Sequence, residues 1–265
     1  MPNRIDQCFD ALRTRNEKAF IAYICAGDPD LPRTVDLALA LEKAGTDILE
    51  LGLPFSDPLA DGLVNQLAAQ RALEAGATVP GVLDCIRQIR CHSQIPIVLY
   101  TYLNPIFQFG FERFHREAGE AGVDGLLILD LPPEEDLELP KDGPLHIRLI
   151  APTTPPERIE QICARASGFI YYVSREGVTG VQSKVAASVA DQVAQIRKHT
   201  KLPIAVGFGI STAEQAREVA QVADAIVVGS AMVRRINDNA TMPDMPARIG
   251  EFVVSLVAAV KEDVR

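Results

Sequence analysis

Short apolar runs alternate with amphipathic stretches along the whole chain. Strand-like runs begin at Phe20 (FIAYICAG), Asp47 (DILELGL), Ile95 (IPIVLYTY) and Gly125 (GLLILDL). Four more begin at His146 (HIRLIAP), Gly168 (GFIYYVS), Pro203 (PIAVGFG) and Ala225 (AIVVGS). They are rich in Ile, Val and Leu, as strands buried on both faces must be. Helical spacing occupies the intervals. LPRTVDLALALEKAG repeats apolar residues at helical period and stops on Gly45, and PPERIEQICARASG and AEQAREVAQV read alike. The entry to the last resembles a capping box, with Ser211 as N-cap and Glu214 three residues on. Eight strands separated by helices predict an α/β protein, a single (β/α)8 TIM barrel spanning residues 1–265 with a parallel eight-stranded core. The open doubly wound sheet lacks support, because no GxGxxG opens a helix after the first run. Two longer connections stand out, Pro54 to Asn65 and Arg175 to Lys184. Both follow strands on the side where barrels keep their chemistry.

The length suits one barrel, and at 265 residues roughly 75% of the unfolded surface can be buried. Acidic residues outnumber basic ones by 35 to 26, a net charge of −9. That field argues against nucleic acid, and any phosphate ligand must be held locally by backbone N–H groups and helix N-termini. Five cysteines (Cys8, Cys25, Cys85, Cys91, Cys163) without CxxC spacing suit free thiols in a reducing compartment. The four histidines form no ligand pair, so no metal is expected. The N-terminus is charged where a signal peptide is apolar, and no apolar run reaches membrane-spanning length. The expected compartment is the cytoplasm.

Candidate chemistry begins with Glu50, a carboxylate inside DILELGL. Burying it is costly unless it is paired or meant to titrate. Ile48 and Glu50 share one strand face, Leu49 and Leu51 the other. If the leucines pack on helices, Glu50 points to the barrel axis near its mouth; a structural ion pair is the other reading. Asp57 and Asp61 follow in PFSDPLADG, a loop stiffened by Pro54 and Pro58. Solvation alone explains either acid singly, but with Glu50 they form a set able to divide acid and base duties. Tyr100, Tyr102 and Tyr171 have axis-facing parity and either line an aromatic pocket or pack the core. Glycine clusters GVTG (177–180), GFG (207–209) and GS (229–230) follow the last three strands; barrels commonly bind phosphate after the last two of them, and SAMVRRI supplies a helix dipole.

LELGLPFSDPLADG closely resembles the signature of the tryptophan synthase α-subunit family. AYICAGDPD, YTYLNPI, DLPPEE, YYVSREGVTG, VGFGIST and VVGSAMV follow in the family's order, so the resemblance covers about Phe20 to Val233. It implies a carbon–carbon lyase of tryptophan biosynthesis that cleaves indole-3-glycerol phosphate to indole and glyceraldehyde 3-phosphate without a cofactor. It further implies that Glu50 is the general acid/base, that Asp61 takes the indole N–H, and that Tyr171 stands beside the glutamate. By the same resemblance Tyr23, Tyr100, Tyr102, Leu127 and Ile150 line the indole pocket, and Thr179 closes a loop onto Asp61. Gly180, Phe208, Gly209, Gly229 and Ser230 resemble phosphate binders. The implied partner is a pyridoxal-phosphate β subunit in an α2β2 heterotetramer, met at Asp57, Pro58, Asn104 and Pro132. A stand-alone lyase and a silent barrel that activates a β subunit are the alternatives. Two departures stand out: Gly62-Leu63-Val64-Asn65 where the family reads GP and then an apolar residue, and Cys25 in place of threonine.

Overall fold

The computed structural model describes residues 3–135, 143–174, 182–207 and 209–262. Among these, eight strands close into a parallel barrel in chain order: β1 (Ala19–Cys25), β2 (Ile48–Gly52), β3 (Ile97–Thr101), β4 (Gly125–Ile128), β5 (Leu145–Ile150), β6 (Ile170–Val173), β7 (Ile204–Gly207) and β8 (Ala225–Val228). Each corresponds to one of the eight apolar runs. The barrel closes where Ala19 to Ala22 of β1 pair with Ala225 to Val228 of β8.

The helices are α1 (Arg4–Thr14), α2 (Leu31–Lys43), α3 (Leu63–Glu74), α4 (Val79–Arg90), α5 (Leu103–Phe109), α6 (Phe111–Ala121), α7 (Pro156–Ala164), α8 (Gln182–Ile196), α9 (Ala213–Ala220), α10 (Ser230–Asp238) and α11 (Met245–Lys261). Asp30 caps α2 by accepting from the Arg33 amide, which settles one of the N–H groups that a helix start leaves over. The capping box of α9 sits one residue later than the sequence pattern suggested. Thr212 is the N-cap and accepts from Gln215 N, while the Gln215 side chain accepts from Ser211 N. Threonine and glutamine serve this exchange as well as serine and glutamate do. None of the described helices is long and apolar enough to cross a membrane.

Strand alternation divides the core in two. Leu49, Leu51, Leu99, Leu126 and Val206 face the helices, while Ile21, Ile48, Val98, Leu127 and Ala205 fill the barrel. Helix α1 plugs the N-terminal end of the barrel with Ile5 and Phe9, whose ring meets that of Phe169 at 5.8 Å. The other end carries the connections that leave the strands' C-terminal ends. There the buried Asp28, just after β1, takes both Arg71 Nε (2.9 Å) and Nη2 (2.7 Å). This bidentate pair, the strong kind of charge-assisted contact, ties α3 to the rim of the barrel.

Candidate active site

The connection after β2 ends at Gly62 rather than at Asn65. Gly62 is the N-cap of α3, so Leu63, Val64 and Asn65 form its first turn. This places the departure at Leu63 to Asn65 in the first turn of a helix, while Cys25 closes β1. That helix end borders a cavity of about 460 Å³ at the mouth of the barrel. Tyr23, Glu50, Asp61, Asn65, Tyr100 and Tyr171 line one part of it; Gly209, Gly229, Ser230 and Arg234 line another.

Glu50 reaches the cavity because Leu49 and Leu51 pack outward and Ile48 packs inward, as the alternation of the strand requires. It is 1% exposed, and its Oε2 has no hydrogen-bond partner among the described residues. Burial pushes its pKa up from 4.5 to about 8, and the negative charge of Asp61 adds to the effect. No salt bridge involves it among the described residues, and a pKa raised this far favours the protonated carboxyl near neutral pH, which supports the titrating reading of this residue over the ion pair.

Asp61 has the opposite surroundings. Tyr100 donates to its Oδ1 at 2.7 Å, Tyr102 donates to its Oδ2 at 2.8 Å, and Asn65 Nδ2 donates to Oδ1 at 3.4 Å. The Gln66 side chain holds its backbone carbonyl at 2.9 Å. The Tyr23 and Tyr100 rings meet edge-on at 5.1 Å, an arrangement that suits their quadrupoles. Tyr171 crosses β7 at Gly207, where a Cβ would lie 2.5 Å from the tyrosine hydroxyl. The first glycine of GFG is thus explained by room for Tyr171, a steric role distinct from anion binding.

At the other part of the cavity Gly229 precedes α10 and Ser230 is its first residue. Gly209 has φ +63, a conformation that glycine adopts without strain. Arg234 lies one helical turn beyond Ser230 and adds a basic residue to this wall. It was not singled out from the sequence, although its spacing from Ser230 in SAMVRRI carried the signal. The structure brings together Glu50, Asp61, Tyr171, Tyr23, Tyr100, Gly209, Gly229 and Ser230. Tyr102 stands behind Asp61, and Leu127 is buried in the barrel interior outside the cavity wall. Ile150 requires correction: it packs among the helices, whereas Leu149, its neighbour, packs against the barrel interior. Side chains of a strand alternate, so a shift of one residue exchanges the faces. Thr179, Gly180 and Phe208 lie outside the described residues. Among the described residues no group of His, Cys, Asp and Glu is placed to hold a metal ion.

Residues 9–259 match the family model described as tryptophan synthase alpha chain. The chain is 53% identical over 264 residues to the tryptophan synthase alpha chain of Opitutus terrae, covering 98% of this chain and 99% of the relative. It is 47% identical to that of Geobacter sulfurreducens, with 97% and 99% covered. Among solved structures, tryptophan synthase subunit alpha from Legionella pneumophila superposes with a TM-score of 0.90 at 39% identity, covering 98% of this chain and 99% of that one. A chain of tryptophan synthase from M. tuberculosis gives 0.88 at 30% identity, with 99% and 100% covered.

Proposed function

The chain belongs to the tryptophan synthase alpha chain family, and on that premise we propose that Glu50 and Asp61 carry out cleavage of indole-3-glycerol phosphate to indole and glyceraldehyde 3-phosphate. The reaction is a retro-aldol step. Glu50, protonated near neutral pH, delivers its proton to indole C3. Asp61 accepts a hydrogen bond from the ring N–H and stabilises the cationic indolenine so formed. The Glu50 carboxylate then takes the proton of the glycerol hydroxyl as the bond between C3 and the glycerol carbon breaks. Its electron pair returns to the ring, the alcohol carbon becomes the aldehyde, and Glu50 ends protonated as it began. Tyr171 and Tyr23 pack the ring over Glu50. The phosphate sits at the N-terminus of α10, on the amides of Gly209, Gly229 and Ser230, with Thr179, Gly180 and Phe208 completing the site by family resemblance.

The observation that carries this reading is the pairing of a buried, proton-retaining Glu50 with a hydrogen-bonded Asp61 across one cavity. A silent scaffold gains nothing from that costly burial. We take residues 1–265 as one catalytic barrel working in the cytoplasm, in keeping with its five free cysteines. Its partner is a pyridoxal-phosphate β subunit in an α2β2 assembly. Leu59 (90% exposed), Leu63 (68%) and Phe107 (70%) offer apolar surface close in sequence to Asp57, Pro58 and Asn104, as such docking requires. The test is release of indole from indole-3-glycerol phosphate, with and without a β subunit. Turnover that rises on mixing supports both parts. Unchanged turnover leaves a stand-alone lyase, and no turnover in either case sinks the assignment.

A further inference from the structure

Tyr100 and Tyr102 lie two residues apart, and their hydroxyls grip different oxygens of Asp61. A carboxylate oxygen offers about two lone pairs. Among the described residues Oδ1 receives Tyr100 and the longer contact from Asn65, which fills it, while Oδ2 receives Tyr102 alone, one contact fewer. The two tyrosines are not equivalent. Tyr102 lies past the end of β3, outside the cavity wall, and its hydroxyl also accepts from the Ala60 amide in the loop that carries Asp61. Tyr100 is inside β3 and in the cavity wall, paired in register with Gly52 of β2. Its ring packs edge-on against Tyr23, which pairs in register with Glu50. A chain of contacts therefore runs from the strand that holds Glu50 to the loop acid, and Tyr100 is its last link.

We propose that Tyr100 is a positioning residue: it ties Asp61 to the strand layer carrying Glu50 and leaves Oδ2 to meet the ring N–H. The proposal rests on the lyase reading above. A carboxylate freed from one anchor turns about its side-chain bonds, and misplacement of a charged acceptor on this scale weakens the transition state more than the bound ground state.

The test is a cycle of wild type, Tyr100→Phe, Asp61→Ala and the double variant. Tyr100→Phe keeps the ring against Tyr23, so loss of packing does not enter. Its kcat for indole-3-glycerol phosphate falls about tenfold, the loss expected for one hydrogen bond to a charged group, while KM stays within about threefold. Indole affinity, measured by calorimetry, falls only about twofold to threefold on Tyr100→Phe in the Asp61 background, the small ground-state share of the same loss, and does not fall further in the Asp61→Ala background. A kcat within about threefold of wild type, or equal loss of affinity in both backgrounds, overturns the proposal. A wild type that releases no indole sinks the lyase reading, and the indole cycle still decides the coupling of Tyr100 to Asp61.

Discussion

Asp61 and Glu50 share a cavity, and the charge of Asp61 helps keep the proton on Glu50. The environments divide the two carboxyl groups. Glu50 is wrapped in apolar strands, with one oxygen unpartnered among the described residues; Asp61 sits at the rim under two tyrosine hydroxyls and an amide. Two acids held in such different surroundings can serve as proton donor and hydrogen-bond acceptor at the same pH.

Glu50→Gln should leave the fold intact and reduce indole release by at least ~100-fold, the lower range for general acid–base catalysis. Steady-state assays with circular dichroism as a check on folding measure both. A much smaller loss would remove Glu50 from the acid/base role.

The pH dependence follows from the same group. Indole release in kcat/KM should fall as pH rises through about 8, because Glu50 then loses the proton it must donate. Stability follows the same titration. Between the ordinary value of 4.5 and the folded value of about 8, the native chain holds a proton that the unfolded chain has released. This contribution is complete below 4.5 and is lost as pH rises through about 8. Glu50→Gln lacks that slope, so the stability difference should move in the variant's favour by roughly 5 kcal/mol between acid pH and pH above 8. Tm values at pH 5 and pH 8.5 for both proteins decide it; parallel changes would contradict the titration.

Asn65→Ile should tighten binding of indole-3-glycerol phosphate about tenfold. The Asn65 carbonyl oxygen is buried in the cavity wall without a partner among the described residues, and its amide reaches Asp61 only at 3.4 Å. An unsatisfied polar group of this kind costs ~1–3 kcal/mol, and a branched apolar side chain meets an indole face without that cost. Weaker or unchanged affinity in the variant would mean that the amide is satisfied by the bound substrate.

The anion end predicts a split between ligands. Crystals soaked with glycerol phosphate should place the anion on the amides of Gly209, Gly229 and Ser230. Arg234→Met, at the same wall, should raise KM for the phosphorylated substrate roughly fivefold, about 1 kcal/mol, with indole affinity unchanged. An anion found at another arginine cluster would refute the assignment, and a parallel loss of indole affinity would refute the separation of the two ends.

The sequence by itself determined the frame. Eight apolar runs at strand length became eight strands in the same order, and parity within β2 turned Glu50 inward because Leu49 and Leu51 needed the helix layer. The family signature pointed to Asp61, Tyr171 and the glycines after β7 and β8. These signals are local: a period of two, a turn residue, a motif within a dozen positions.

Tertiary structure alone decided what crosses between elements. Tyr100 and Tyr102 reach Asp61 over 39 and 41 residues, a meeting set by barrel closure and by the turn that ends at Gly62. The inward residue of β5 is Leu149 rather than Ile150, and the sequence could not show this. A strand of a barrel is buried on both faces, so apolar character no longer marks the inside; here even Arg148, on the face of Ile150, is 7% exposed. Arg234 became part of the site when α10 set it one turn beyond Ser230 on the cavity wall. Sequence periodicity specifies which side chains share a face; the neighbouring strands and helices specify what that face meets.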